Sequence, residues 1–158
     1  MNAPLYRSQT RSIPIPSLPS TLRNALLTFA DTKKLKMVGA QAWLTHRENP
    51  ASTTMLGKLL KKRVNAADPD AEHDLVLVVH GTHLLIGASG SARGTKVHGV
   101  PLAKATMTRE RGADAGLTIG GFAGEPTTHF MGLEAGVDAD ACVEAVTRAI
   151  EAAHAPAA

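Results

Sequence analysis

The clearest chemical signal in the chain is a run of basic and apolar residues between positions 53 and 64. Its apolar members recur with the period of a helix: Met55, Leu56, Leu59, Leu60 and Val64. The opposite helix face is basic: Lys58, Lys61, Lys62 and Arg63. Three interpretations stay open. The apolar face packs on the rest of the domain, the helix binds an anionic membrane or a nucleic-acid backbone by charge, or it docks on another protein, including a second copy.

A glycine-rich stretch, residues 87–96 (GASGSARGTK), has the composition of a phosphate-binding loop but not its spacing. Gly90 and Gly94 are four residues apart where the motif requires five, and Lys96 does not directly follow the second glycine. No helical pattern follows either. We therefore predict a flexible loop between two strands, in which Arg93 and Lys96 could meet an anion.

Residues that could support catalysis or hold a metal do not form a recognisable constellation. His80 and His83 flank a predicted turn, and His98 or His129 could supply a third metal ligand, but the spacing is not that of a structural zinc site. Cys142 begins a predicted helix beside its apolar stripe, which favours a buried thiol over a nucleophile. No serine stands in a nucleophile elbow. We predict no enzymatic activity, no metal and no cofactor.

Charge is distributed unevenly along the chain. Residues 1–64 carry 11 Lys and Arg against 2 acids, and residues 65–158 carry 6 against 12, so the net charge of +3 conceals halves of +9 and −6. This asymmetry suggests an anionic partner for the first half or contact between the halves. The candidate residues for binding an anion or a partner are Lys33, Lys34, Lys36, Lys58, Lys61, Lys62, Arg63, Arg93 and Lys96. Aromatic residues make up only 3%, which argues against base stacking on single-stranded nucleic acid.

The first part of the chain divides into a tail and a basic helical extension. Residues 1–19 read as a disordered, Pro-rich tail because alternating prolines block a helix. Residues 20–66 form the predicted extension, with a first helix capped by Ser20 and a second helix after Ser52. Between them, residues 35–44 fit either a strand or an interrupted helix.

The second part, residues 74–155, is rich in short β-type runs and ends in a helix. The predicted strands are residues 75–79, 84–87, 97–102, 105–110, 117–122 and 128–133. The closing helix has Asp138 as its predicted N-cap, and Val143, Val146 and Ile150 form its apolar stripe. Such a stripe must cover the apolar face of the preceding sheet.

The order of these elements carries a family resemblance. The residues involved are the hairpin 75–87, the step VHGVPL at 97–102 with the strand 105–110, the pair 117–119 and 128–133, and the helix from Asp138. This order resembles the pleckstrin-homology-like superfold in its small bacterial and GRAM-type versions, over roughly the last 85 residues. The resemblance implies a ligand that is a lipid head group, a peptide or a second copy. Lipid-binding members hold the head group near basic residues of the first strand-to-strand loops, and the turn 80–83 has none.

The sequence thus predicts an α+β protein. Its C-terminal domain is an antiparallel sheet or partly open β-barrel closed by a helix, and a basic helical extension precedes it. The predicted function is that of a non-catalytic adaptor or structural subunit acting through protein contacts, self-association included. The alternative is an electrostatic binder of anionic membrane or nucleic acid. A single cysteine and the lack of a signal-like apolar run at the N-terminus predict a cytoplasmic location.

Overall fold

The computed structural model describes residues 5–51, 55–60, 63–65 and 67–156. These residues form an α+β fold with two antiparallel sheets. The strands are β1 (Arg7–Ser12), β2 (Gln41–Glu48), β3 (Glu72–Val79), β4 (His83–Gly90), β5 (Gly94–Pro101), β6 (Thr106–Glu110), β7 (Gly116–Gly120) and β8 (Thr128–Gly132). The α-helices are α1 (Ser20–Thr32), α2 (Met55–Leu59) and α3 (Val137–His154), and Ile15–Ser17 form a short 3-10 helix.

Both sheets are meanders in which each strand pairs with the next one along the chain. The large sheet has the order β1-β2-β3-β4-β5 and the small sheet the order β6-β7-β8. The apolar runs of β3 and β4 are almost continuous because both faces of the large sheet are covered. Successive residues of β3 accordingly enter different cores, Leu77 on one face and Val78 on the other.

The main core lies between the inner face of the large sheet, the small sheet and α3. Trp43 and Leu77 contribute from the large sheet, Ile119 from the small sheet, and Cys142 and Val146 from α3. The apolar stripe predicted for the last helix therefore covers a sheet face as expected, with Val146 fully buried and Val143 and Ile150 partly buried against the same core.

A second core lies under α1 on the outer face of the large sheet. Leu22 and Leu26 of the helix pack with Val78 and other aliphatic side chains of the sheet. The approach is close at Gly99 of β5, where a Cβ would lie 2.7 Å from Cε1 of Phe29. A residue without a side chain is therefore needed at this point for the helix to reach the sheet.

The predicted disordered tail is wrong for most of its length. Arg7–Ser12 pair with β2 as the first edge strand of the large sheet. The isoleucines of the Pro-rich stretch, Ile13 and Ile15, are buried under α1, and so is Leu18. Alternating prolines exclude a helix but allow an extended chain, and the buried aliphatic residues between them fix its path. Residues 1–4 lie outside the described part of the chain.

The predicted helical extension is only partly correct. Its first helix is confirmed as Ser20–Thr32, but residues 41–48 form the second strand of the large sheet. This resolves the ambiguity of residues 35–44 in favour of a loop followed by a strand. The described part of the second helix spans only Met55–Leu59, and Arg63 forms an isolated β-bridge with Ala51. Residues 53, 54, 61 and 62 of this prediction lie outside the described residues.

The strands and the last helix of the C-terminal half are confirmed within a few residues. The two predicted caps are wrong, however, because Ser20 and Asp138 lie inside their helices, behind Pro19 and Gly136, and neither helix has a side-chain cap hydrogen bond. Asp138 instead lies in the first turn of α3, where a carboxylate interacts favourably with the helix dipole.

Candidate functional site

The connection between β2 and β3 holds five of the eight exposed large apolar side chains of the described chain, together with basic residues. We call residues 51–64 the contact segment. The side chain of Asn49 closes its base, since Nδ2 donates to the backbone oxygen of Asn65 (2.8 Å) and Oδ1 accepts from the backbone N–H of Asn65 (2.9 Å). Arg63 donates from Nη1 to the backbone oxygen of Asn49 (3.0 Å). These bonds fix the two ends of the segment against each other.

The apolar residues of the contact segment face solvent. The exposed fractions are 82% for Met55, 68% for Leu56, 76% for Leu59 and 55% for Leu60. The interpretation that this apolar face packs on the rest of the domain is therefore wrong. The described helical part, Met55–Leu59, is too short to lay a stripe along a sheet. Both faces of the large sheet are already covered, by α1 on one side and by the small sheet with α3 on the other.

The predicted basic residues are divided between the two ends of the large sheet. Lys33, Lys34 and Lys36 are exposed in the loop after α1, and the backbone oxygen of Lys36 bonds to Nε2 of His80 in the β3–β4 turn (2.9 Å). The contact segment joins the opposite ends of β2 and β3. With eight residues in each of these strands, the two groups lie about 25 Å apart.

The remaining basic residues lie at the contact-segment end or outside the described chain. Arg63 is exposed at the base of the contact segment and Lys96 is exposed on β5. The side chain of Lys58, and all of Lys61 and Lys62, lie outside the described part. No single anion site therefore unites the nine residues predicted from the sequence, as far as the described residues extend.

Arg93 is not available to an external anion, which corrects its predicted role. Its Nε donates to Asp70 Oδ2 at 2.7 Å, and its Nη2 is paired with Asp68. Asp70 also accepts from the backbone N–H of Ala92 (2.6 Å). The Ala92 and Arg93 bonds lower the pKa of Asp70 to about 2. Arg93 therefore fixes the β4–β5 turn against the residues that precede β3.

Tyr6 and His73 extend this polar network into the protein. The Tyr6 hydroxyl donates to Asp68 Oδ2 at 2.5 Å, and burial together with this bond raises its pKa to about 12. His73 is buried with its ring edge-on to Tyr6, and burial, helped by the charge of Arg93, lowers its pKa to about 4. For Asp68, burial raises the pKa, but hydrogen bonds, first that from Tyr6, outweigh it and keep the pKa below its usual value. Tyr6 and Asp68 bond to each other, whereas the buried Nδ1 of His73 has no hydrogen-bond partner among the described residues. The group presents no exposed nucleophile.

The histidines singled out in the sequence form two separate pairs. The rings of His80 and His83 are 6.2 Å apart at the β3–β4 turn, and those of His98 and His129 are stacked at 4.1 Å between the two sheets. In the described chain, another histidine has more potential metal ligands around it. His46 lies with Glu48 and Glu72 so that one ligand atom of each falls within 4.8 Å of the others.

The His46 group is held by hydrogen bonds within the sheet. Its Nδ1 lies 2.7 Å from Asp74 Oδ1 and its Nε2 lies 3.3 Å from Glu72 Oε2, and the bond to Asp74 raises the pKa of His46. The sequence does carry a signal for this group. Residues 46 and 48 on one strand, and 72 and 74 on the next, alternate with the period that puts them on one face.

Arg47 is a further site residue that the sequence did not indicate. It lies on the inner face of β2, beside a cleft of about 450 Å³ between the start of β1, the β6–β7 loop and the β8–α3 loop. Its guanidinium carbon is 3.7 Å from the ring centroid of Tyr6 and one terminal nitrogen is paired with Asp114. A buried arginine beside a cleft can recognise a planar anion.

No helix among the described residues is long and apolar enough to cross a membrane. Comparisons of this chain with protein-family models, with curated proteins and with solved structures found no match, so the assignment of a role depends on the geometry described above.

Proposed function

We propose that this chain is a non-catalytic adaptor or structural subunit of the cytoplasm that binds another protein through the contact segment. The supporting observation is that Met55, Leu56, Leu59 and Leu60 are each more than half exposed. Soluble proteins rarely leave several large apolar side chains together in water unless the patch is used for binding. Burying one such side chain is worth about 1.5–3 kcal/mol.

The base of the contact segment supports this proposal. The paired bonds between Asn49 and Asn65, and the bond from Arg63, hold the two ends of the segment, so less conformational entropy is lost on binding than for a free loop. A preorganised apolar projection beside a closed polar network is suited to insertion into a groove of a partner.

The order of strands is compatible with the pleckstrin-homology-like resemblance. Strands β2–β5 form four neighbours of one sheet, β6–β8 form a second sheet, and α3 follows them. In this proposal β1 and α1 are additions to that unit. Domains of this type bind peptides, copies of themselves or lipid head groups, and the first two agree with a protein-binding contact segment.

A specific observation favours a second candidate, binding to an anionic membrane surface. If β2 is the first strand of such a unit, the contact segment is its first strand-to-strand connection, and it carries Lys58, Lys61, Lys62 and Arg63. Leucines among lysines suit the boundary between acyl chains and phosphates. The segment has no aromatic residue, although tryptophan and tyrosine are enriched at membrane interfaces, and we therefore place this candidate second.

A double variant and a matched control variant test the proposed contact with another protein against self-association and against membrane binding. Leu56→Ser with Leu59→Ser removes apolar surface from the contact segment, and Leu27→Ser on α1 is the matched control, because Leu27 is also exposed (43%) but lies elsewhere. The assays are light scattering for self-association, a tagged pull-down from nuclease-treated lysate with low-salt and high-salt washes, and flotation with anionic or neutral vesicles.

We expect a stoichiometric complex that survives high salt, is lost in the double variant and persists in the control. Binding only to anionic vesicles, with release by salt, would instead select the membrane candidate, since attraction between exposed charges is screened by salt. If the double variant behaved as the unmodified chain does in all three assays, the contact segment would not be the binding surface.

A further inference from the structure

Arg47 has a buried hydrogen-bond donor that no described residue satisfies. Its side chain is only 6% exposed, and one terminal nitrogen is paired with Asp114. The Nε atom is buried and finds no hydrogen-bond partner among the described residues. An unmade bond of this kind is costly, and native proteins leave few of them without a ligand, an ion or a water.

The orientation of the Arg47 guanidinium is also fixed by its neighbours. Tyr6 covers one face at 3.7 Å. Gly132 of β8 lies against the group from another side, where a Cβ would come within 2.6 Å of the guanidinium carbon. The faces of the group are thus in contact with protein, and only its edge can meet a ligand. A planar fork fixed in this way suits a carboxylate, which accepts two parallel bonds.

The cleft beside Arg47 has the size and lining of a small-molecule site. Its volume of about 450 Å³ falls in the range of ligand pockets, and Leu133, Ala113 and Ala135 give it an apolar wall. A smaller cleft of about 240 Å³ shares Leu133 and Ala135 with it, so the two adjoin. A ligand with an apolar body can therefore extend away from the guanidinium.

The charges around the two clefts favour a monoanion. Arg109 is already paired with Asp140 at 2.8 Å. The remaining charged residues are balanced, with three arginines against three carboxylates: Arg7, Arg47, Arg111, Glu110, Glu134 and Asp114. No surplus of positive charge is present to hold a dianion such as a phosphate monoester.

We propose that this cleft binds a small organic carboxylate, with its apolar body against Leu133 and its carboxylate on Arg47. The carboxylate takes the place of Asp114 and accepts from Nε and a terminal nitrogen together. Asp114, whose side chain is 35% exposed, then passes into water. This site is separate from the contact segment and adds a ligand-binding activity to the proposed function.

The test uses hexanoate as the probe, in calorimetric titration of the full chain and in amide chemical-shift mapping. We expect saturable binding with shifts at Ala113 and Ala135. Hexanol, which lacks the charge, and the Arg47→Lys variant, which lacks the fork, should each bind at least about tenfold more weakly, the ratio expected for one charge-assisted hydrogen bond. Asp114→Asn should bind hexanoate more tightly, because the competing carboxylate is gone.

Two further variants separate binding from folding. Ala135→Phe fills the cleft without changing Arg47 and should abolish binding, whereas Arg11→Met, an exposed change on β1 outside the cleft, should leave it unaltered. A titration without saturation would overturn the proposal, and so would equal affinity for hexanol and hexanoate or a failure of Asp114→Asn to strengthen binding. Tighter binding of hexyl phosphate would refute the carboxylate assignment.

Discussion

Acidification should destabilise the chain through His73, whose imidazole is buried between the polar network and Tyr6. The pKa of His73 is about 4 in the folded chain, because burial and then the charge of Arg93 disfavour its protonated form, against 6.5 in the absence of these effects. Between these two pH values His73 is protonated in the unfolded chain but neutral in the folded chain, so the free energy of unfolding falls as the pH falls. The total loss is about 3 kcal/mol, at about 1.4 kcal/mol for each pH unit between the two pKa values.

The pH window separates this effect from that of the carboxylates. Stability from His73 is complete above pH 6.5, is lost towards pH 4 and changes no further below that value. The pKa of Asp70 is lowered from 3.8 to about 2, so its contribution is present above pH 3.8 and is lost only as the pH falls below that value. A loss of stability that starts near pH 6.5 therefore reports histidine rather than aspartate.

The assay is urea unfolding of the unmodified chain and of His73→Phe at a series of pH values. The phenyl ring keeps the edge contact with Tyr6 and cannot titrate. We expect the difference in free energy of unfolding between the two proteins to shift by about 3 kcal/mol, against the unmodified chain, between pH 6.5 and pH 4. Parallel stability curves for the two proteins would show that His73 is protonated without cost in the folded chain, and the reasoning from burial would fail.

The stability lost in His46→Gln should depend on pH in the opposite sense to that of His73→Phe. The bond to Asp74 raises the pKa of His46, so the stabilisation from His46 is full below pH 6.5 and disappears as the pH rises through its folded-state pKa. Urea unfolding of His46→Gln and of the unmodified chain at a series of pH values will show this difference. Gly132→Ala should destabilise the fold by about 1–3 kcal/mol and so lower its melting temperature, because the added methyl group meets the guanidinium of Arg47. Gly81→Ala, with open space around it, should change the melting temperature little. Equal melting temperatures for the two variants would contradict the close packing of Gly132 on Arg47. Burial raises the pKa of the Cys142 thiol to about 12, so a thiol reagent should modify it at neutral pH only as fast as the chain unfolds, and rapid labelling of the folded protein would disprove the burial.

The elements that could be predicted from the sequence are those with a strong local pattern. Strands β3 and β4 are continuous apolar runs separated by a short polar turn, and α3 has an apolar stripe at helical spacing, so each was located within a few residues. For the two strands, any other pairing register would expose their apolar side chains, so the local pattern alone determines their position.

β1 escaped prediction because its residues are polar and its strand form depends on a distant partner. Arg7–Ser12 contains no apolar residue, and it becomes a strand only because β2 offers an unpaired edge. For the contact segment, the local pattern predicted burial that tertiary structure does not provide. Its apolar residues have helical spacing, but the surfaces that could bury them are occupied by other elements. Periodicity predicts a face, and tertiary structure decides whether that face is covered.

The candidate site residues divide in the same manner. The basic residues were found by composition, yet Arg93 forms ion pairs with Asp68 and Asp70, which come from a different part of the chain. Arg47 and His73 were not singled out, because isolated polar residues on half-buried strands give no pattern. What makes them distinctive is burial beside Tyr6, and that is set by the pairing of β1 with β2.

The strict succession of strands has a consequence for synthesis on the ribosome. Each strand from β2 onward within the large sheet pairs with the strand that was made just before it, so the sheet can grow as the chain emerges, without waiting for distant segments. Helix α3 comes last, and its Val146 closes the core that holds Trp43 and Leu77. Until that helix has been made, the main core between the two sheets lacks the side that α3 covers, and this is the stage at which a chaperone would be needed most.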